Sequence, residues 1–277
     1  MSTDDLSAGG IASLAALSLL SAFLAGCLHR NRFPGARFRE RRPREPPLWG
    51  GREVAAALVF WIGLRLFLGS LMASLAELGL FDQGVAFAAS QLAVAVATLG
   101  VLRSMVVRGA GQPAETLGFV PVGLREVAPA LFLWLASIFP LRLVHLSWLL
   151  LIRALGAGLE AQEVVEAFRG FVASGQWTAV ACHVGTGVFI VPIVEEALFR
   201  GFIFGALRRS MGPLPGAALS SLAFAALHLS LTAFAPLFVL GLLLAYLYER
   251  TGSLYPSVAF HAVFNAGTYL LLALGAA

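Results

Sequence analysis

The residues best suited to chemistry form a short cluster inside a long apolar stretch. Glu195 and Glu196 are adjacent, and Arg200 follows the second carboxylate by four residues. On a helix, Glu196 and Arg200 share one face and can pair, which lowers the free-energy cost of burying both charges. Glu195 points in another direction and has no partner on its own helix. A buried carboxylate of this kind suits proton transfer, so Glu195 is the candidate general base.

Two later apolar stretches carry further polar side chains. His228 lies in one of them, and His261 and Asn265 lie in the other, four residues apart and therefore on one side of a helix. Because an α-helix rises ~1.5 Å per residue, Glu195 lies roughly 20 Å from the basic end of its segment, and the other groups lie at comparable depth. These residues therefore fall within one slab of the membrane, as a single site requires.

Two hydrolytic mechanisms fit this set of residues. Glu195, His228 and His261 are a suitable ligand set for Zn²⁺, with a water in the fourth position as the nucleophile. Without a metal, Glu195 would act on a water as general base, helped by His228. His261 and Asn265 would then donate hydrogen bonds to the developing oxyanion. The spacing does not choose between the two, and an ion path or purely structural pairing is also open.

The composition of the chain indicates a membrane protein. Of its 277 residues, 59% are hydrophobic and 12% are charged, and the apolar residues occur in long runs. Most runs have close to the ~20 residues that cross a bilayer as a helix. The sequence therefore predicts an all-α, polytopic integral membrane bundle of about eight transmembrane helices. The predicted spans are Leu6–Leu28, Val54–Leu75, Val85–Val107, Val127–Ile152, Thr178–Leu207, Leu214–Ser230, Leu231–Tyr248 and Leu254–Ala276.

The distribution of arginine sets the expected orientation. All 19 basic residues are Arg, and eight of them lie between His29 and Arg52. Further arginines follow the third, fifth and seventh predicted spans, on the same side of an eight-span protein. The positive-inside rule makes that side cytoplasmic and turns both termini outward. Orientation in the bilayer thus explains the net charge of +4, and a nucleic-acid partner is not expected.

The first predicted span, within residues 1–28, contains a sequence that resembles a bacterial lipobox at Leu24–Cys27. A signal peptide begins with a basic region, whereas this chain begins with Asp4 and Asp5. We therefore expect a retained span, followed by a basic cytoplasmic connector at residues 29–53.

Other ionisable residues lie inside predicted spans, among them Arg65, Arg142, His145 and His183. Arg65 is expected to pair in the interior of the bundle or to extend its guanidinium to the interface. His183 lies more than three helical turns from Glu195, so we expect it to pack rather than to join the site.

Taken in order, the polar elements resemble the signature of the CPBP family, which includes type II CAAX prenyl proteases, bacteriocin-processing and immunity proteins and abortive-infection proteins. The resemblance covers about residues 178–272, and each element lies in a hydrophobic segment. The residues that carry it are Glu195, Glu196 and Arg200, then Phe224 and His228, then His261 and Asn265.

The resemblance implies an all-helical intramembrane endopeptidase core at residues 178–272, with a site that opens toward the cytoplasm. It implies that Glu195 activates water with help from His228 and that the remaining site residues support it. In that scheme Glu196 and Arg200 hold the site together, and His261 and Asn265 form the oxyanion site. Members are often called metalloproteases, so Zn²⁺ and a metal-free reaction both stay open.

The expected substrate is a peptide, or a membrane-associated or lipidated protein, within the bilayer of a bacterial plasma membrane. The membrane helices at residues 54–177 match no motif, and their role is open. A non-catalytic immunity or scaffold protein of the same fold is the main alternative. A transporter with Glu195 in a proton path is less favoured, because the chain shows no internal repeat.

Overall fold

The computed structural model of the protein describes residues 49–107, 113–158 and 162–275, together with residues 16–21, 23 and 26. Within these residues every regular element is helical, which confirms the all-α membrane bundle. The first predicted span Leu6–Leu28, the possible lipobox and the connector at 29–53 lie largely outside the described residues.

Nine helices follow one another in the described ranges from residue 49 onward. They are α1 Gly51–Glu77, α2 Gln83–Val107, α3 Pro113–Leu117, α4 Leu124–Ala154, α5 Glu163–Ala173, α6 Trp177–Met211, α7 Pro213–Ala226, α8 Phe234–Thr251 and α9 Leu254–Ala273.

Five of these helices, α1, α2, α4, α6 and α8, are long and apolar enough to cross a membrane. Helix α7 is apolar but has only 14 residues. Helix α9 has 20 residues and is not among these five. The predicted number of eight spans therefore stays a prediction. Helix α5, which the hydropathy pattern did not predict, is short and lies between α4 and α6.

Helix α6 is the central element of the bundle, and its winding is irregular. Two stretches, Thr186–Ile190 and Glu196–Phe204, are π-helical, and the α-helical turn Val191–Glu195 separates them. Pro192 in this turn has no N–H to give to the helix, which favours a wider winding nearby. Turns of this type are frequent at functional sites because they alter the direction of side chains. All nine residues of the second stretch are buried.

Two glycines allow neighbouring backbones to approach the centre closely. A Cβ at Gly201 would collide with the carbonyl oxygen of Leu117, so glycine lets α3 sit directly on α6. A Cβ at Gly241 would lie 2.8 Å from the Cβ of Ser221, so glycine lets α8 pack against α7. Because glycine has no side chain at these two positions, α3, α7 and α8 can pack close to the polar residues of α6.

The two ends of the bundle differ in charge. At one end lie Arg52 at the start of α1, Arg103 near the end of α2, Arg208 near the end of α6 and Arg250 near the end of α8. We call this the arginine-rich end. The ion pair between Arg208 and Glu249, 2.7 Å apart, joins α6 to α8 there. The opposite end contains the turn between α1 and α2, the end of α4, and α5.

Candidate active site

Glu196 is the centre of a buried polar group that joins α6 to α9. One carboxylate oxygen lies 3.4 Å from the Nε of Arg200, and the other lies 3.0 Å from the Nδ1 of His261. Neither Glu196 nor Arg200 is exposed, and His261 is 3% exposed. The structure therefore places Glu196 and Arg200 as the pair that the spacing predicts. It also gives the pair a third member from α9.

Arg200 extends this group to two further helices. Its Nη2 donates a hydrogen bond to the carbonyl oxygen of Gly241 on α8 at 3.3 Å. Its guanidinium carbon lies 4.4 Å from the centre of the Phe224 ring on α7, where the positive charge is attracted to the ring face. A single charged side chain thus contacts two neighbouring helices, and opposite charge and an aromatic face offset the free-energy cost of its burial.

The contact with Glu196 fixes the tautomer of His261. Because the Nδ1 faces a carboxylate oxygen at 3.0 Å, the proton of the neutral ring belongs on Nδ1. The Nε2 then presents a lone pair, and it lies 3.9 Å from Oε2 of Glu195. His261 therefore stands between the two adjacent carboxylates.

Glu195 is buried, with 4% exposure, and it faces a different set of groups. Its Oε1 lies 3.7 Å from Nη1 of Arg65 on α1, and Arg65 also lies over the ring of Trp61 at 4.7 Å. The pairing expected for Arg65 thus has Glu195 as its partner. In the described part of the chain, Oε2 of Glu195 has no hydrogen-bond partner. One oxygen of the candidate base thus faces Arg65, and the other is buried beside His261 without a hydrogen-bond partner among the described residues.

His228 lies just beyond the end of α7, in the connection that leads to α8. Its Nδ1 donates to the carbonyl oxygen of Phe224 at 2.7 Å, and its ring packs edge-on against the Phe224 ring. The next residue, Leu229, has a φ of 51°, in the left-handed region that a bulky residue seldom adopts. The backbone therefore changes direction immediately after His228. Because the Nδ1 is engaged by the Phe224 carbonyl oxygen, the Nε2 is the ring nitrogen left for other contacts.

Glu195 and His228 line the same cavity of about 1050 Å³. Typical small-molecule sites have volumes of ~300–1000 Å³, so this cavity is large enough for a chain-like ligand. Its walls come from α1, α2, α5, α6 and the connection after α7. His261 and Asn265 do not belong to this wall within the described residues. The cavity therefore meets the polar cluster at Glu195 and His228.

Asn265 contacts the first π-helical stretch of α6. Its Nδ2 donates to the carbonyl oxygen of Gly187 at 2.8 Å. A Cβ at Gly187 would collide with the ring of Tyr269, one turn further along α9. Asn265 thus fastens α9 to α6 at a point eight residues before Glu195. One of its two N–H groups is engaged, and its role in an oxyanion site stays a prediction.

The candidate zinc ligands do not form a ready coordination shell. In the portion of the chain that the structure describes, no three His, Cys, Asp or Glu side chains are grouped closely enough to hold a metal ion. Glu195 and His261 are 3.9 Å apart, and the Nδ1 of His228 is bonded to a backbone carbonyl. These described residues therefore do not fit a metal ion in this arrangement.

His183 packs as its position in the sequence predicts. It is 2% exposed, and its ring stacks on Phe87 with 3.9 Å between centres. Its Nδ1 donates to the carbonyl oxygen of Ala179 at 3.0 Å. The ring also forms part of the cavity wall, so His183 contributes to the shape of the cavity that leads to Glu195.

The fold and the site define a helical membrane protein with a buried acid–base cluster at the end of a large cavity. Residues 148–267 match the family described as type II CAAX prenyl endopeptidase Rce1-like. The match covers less than half of the chain, and it supports the CPBP family of intramembrane peptidases that the sequence resembles. No curated protein and no solved structure matches the chain.

The matched residues contain the whole predicted cluster and end just after it. They do not contain α1, so Arg65 lies outside the part of the chain that the family describes. Sequence reasoning found Arg65 as a charge within a span but did not find its partner. A contact between helices so distant in sequence has no periodic signal that would indicate it.

Proposed function

We propose that the protein is an intramembrane endopeptidase that hydrolyses a peptide bond of a membrane-associated or lipidated protein or peptide. The proposal rests chiefly on one observation. Glu195 is a buried carboxylate on the wall of a large cavity, and one of its oxygens has no hydrogen-bond partner among the described residues. A carboxylate in this position suits a general base.

In the proposed reaction, a water held by the carboxylate of Glu195 attacks the carbonyl carbon of the scissile bond. The carboxylate takes the proton of the water as the new C–O bond forms, which gives a tetrahedral intermediate. That proton passes to the amide nitrogen as the C–N bond breaks, so Glu195 is ionised again at the end. His228, which lines the same cavity, assists the transfer through its Nε2.

The remaining residues of the cluster position the base and balance its charge. The group of Glu196, Arg200 and His261 stands behind Glu195 and keeps the Nε2 of His261 directed at it. Arg65 lies on the cavity side and carries a positive charge near the point where negative charge develops. We keep His261 and Asn265 as the proposed oxyanion pair, a role in which His261 must also be protonated on Nε2, because its Nδ1–H is donated to Glu196, and in which both side chains must reach the intermediate.

The decisive experiment compares cleavage by the reconstituted wild-type protein with cleavage by Glu195→Gln. A library of reporter peptides, including lipidated ones, supplies the substrate. Loss of a general base lowers the rate by ~10²–10⁴-fold, so Glu195→Gln should be almost inactive while it remains folded. The matched control is Glu166→Gln, which changes an exposed carboxylate on α5. Equal cleavage by wild type and Glu195→Gln would overturn the proposal.

Two further arms separate the alternatives. A chelator that inhibits cleavage, with recovery on addition of Zn²⁺, would assign the reaction to a metal that organises the cluster on binding. A wild-type protein that cleaves no reporter but retains a stable binding partner would favour the immunity or scaffold function. We place the protein in the plasma membrane of a bacterium, in agreement with its arginine distribution.

A further inference from the structure

We propose that the substrate reaches Glu195 from the end of the bundle opposite the arginine-rich end, as an extended polypeptide segment that lies along α1. The direction of access depends only on the geometry of the cavity, whereas cleavage of the segment rests on the proposed function. This direction differs from the cytoplasmic opening that the family resemblance implies.

The cavity runs along one face of α1. Trp61 and Arg65 lie at its inner end beside Glu195, Gly69 and Ala73 follow at helical spacing, and Glu77 marks the last turn of the helix. From Arg65 to Glu77 a helix rises ~18 Å, at ~1.5 Å per residue. An extended chain covers this length with about five residues, at ~3.3 Å each. The small side chains along this face leave room for such a segment.

The outer end of the cavity lies at the surface of the bundle. Glu77 and Gln83 flank the turn between α1 and α2, and Gly158 and Gln162 lie between α4 and α5. All four line the cavity, and all belong to the end opposite the arginine-rich end. The polar character of these residues suits a water-filled entrance.

The path from Glu195 toward the arginine-rich end is filled with protein. The next nine residues of α6, Glu196–Phe204, are all buried. Trp49 stacks on Phe202 with 4.9 Å between ring centres, and its Nε1 donates to the Phe202 carbonyl oxygen at 2.9 Å. The buried side chain of Tyr248 also fills this part of the bundle, and its hydroxyl donates a hydrogen bond to the carbonyl oxygen of Leu117. Within the described residues, no lining residue of the cavity comes from the arginine-rich end.

The chemistry of the wall favours a polypeptide over a lipid chain. Amide and hydroxyl side chains occur along it, including Ser90, Gln91 and Ser230 beside apolar groups such as Met72. A peptide backbone inside a membrane needs partners for its N–H and C=O groups. Gln91 can donate and accept hydrogen bonds, and Ser90, whose hydroxyl donates to the carbonyl oxygen of Phe87, can still accept one. A lipid tail gains nothing from such groups. The occupant that fits is therefore an extended peptide segment with small or apolar side chains.

The charge of the two ends assigns the sides of the membrane. Because arginine collects on the cytoplasmic side, the arginine-rich end faces the cytoplasm and the cavity opens to the other side. The substrate is thus a segment of a protein that is exposed, or has been translocated, at the non-cytoplasmic face.

Cysteine accessibility in the full chain tests this direction. In a background with Cys27→Ser and Cys182→Ser, single cysteines are placed at Gly69 on the cavity wall, at Gly51 at the arginine-rich end and at Gly63 within α1 but outside the wall. A Cβ at each of these glycines meets no atom within 4 Å, so the substitutions fit. A membrane-impermeant maleimide is then added to right-side-out and to inverted vesicles from a bacterial host.

We expect Gly69→Cys to be modified in right-side-out vesicles, Gly51→Cys only in inverted ones and Gly63→Cys in neither. An apolar peptide should protect Gly69→Cys from the reagent, whereas a free fatty acid should not. Modification of Gly69→Cys from the same side as Gly51→Cys, or from neither side, would overturn the proposed direction. Protection by the fatty acid alone would assign the cavity to a lipid chain.

The two proposals fail in different ways. If Gly69→Cys is modified as expected but Glu195→Gln cleaves like wild type, the access path stands and the peptidase function fails. If Glu195→Gln loses cleavage but Gly69→Cys reacts from the cytoplasmic side, the function stands and the direction of access is wrong.

Discussion

The guanidinium of Arg65 lies 3.7 Å from the carboxylate of Glu195, and this contact joins α1 to the centre of α6. It brings a residue from outside the matched family domain to the candidate base. The desolvation of Arg65 costs little free energy in this contact, because its side chain is 40% exposed and keeps part of its hydration. Helix α1 is therefore part of the candidate site rather than only its support.

Replacement of Arg65 should lower catalysis without unfolding the protein. We expect Arg65→Met to reduce kcat by about tenfold, since a charge-assisted contact contributes ~1.5–3 kcal/mol when buried and less when it is partly exposed. Arg65→Lys should recover part of the loss, because it keeps the charge. The measurement is kcat and KM on a cleaved reporter, with Arg169→Met as control. An unchanged kcat for Arg65→Met would show that the contact has no role in the reaction.

Removal of Arg200 should destabilise the bundle strongly. Arg200→Met would leave the fully buried carboxylate of Glu196 without its cation, and such a change is expected to lower the free energy of unfolding by about 3–5 kcal/mol. The double variant Arg200→Met with Glu196→Gln should be more stable than the single variant, because no uncompensated charge remains. Unfolding in detergent measures both. Equal stability of the single and double variants would contradict a dominant role for the charge pair.

Asn265 allows a positioning role to be separated from an oxyanion role. Asn265→Leu removes the hydrogen bond to Gly187, and we expect a loss of about 1–3 kcal/mol in the free energy of unfolding. If Asn265 also stabilises the oxyanion, kcat should fall by ~10²–10³-fold with little change in KM. Kinetics are measured well below the unfolding temperature of the variant. A fall in kcat that only follows the folded fraction would restrict Asn265 to positioning.

Gly241 should tolerate no larger side chain. Gly241→Ala places a methyl group 2.8 Å from the Cβ of Ser221 and pushes α8 away from α7, so we expect a loss of about 1–3 kcal/mol in stability. The same shift would lengthen the hydrogen bond from Arg200 to the Gly241 carbonyl oxygen. Gly100→Ala is the matched control, because its Cβ would enter open space. Similar unfolding of the two variants would mean that α7 and α8 can separate freely.

The sequence alone determined the class of the fold and the members of the polar cluster. Helical spacing predicted that Glu196 and Arg200 would pair, because residues four apart lie on one face whatever the rest of the fold does. Long apolar runs predicted the membrane bundle, because a helix must have about 20 apolar residues to cross a bilayer. Both predictions depend only on the sequence of a single segment, so they can be made without knowing which helices pack against it.

Only the tertiary structure decided which partner each polar group has. His261 bonds to Glu196, Asn265 bonds to Gly187 and Arg65 approaches Glu195, and all three contacts join residues far apart in the chain. The π-helical stretches of α6 changed the direction of its side chains in a way that a regular helix would not predict. The direction of the cavity also depended on packing, because it is set by which helices touch at each end. Such contacts follow from the mutual fit of whole helices, and no spacing within one segment encodes them.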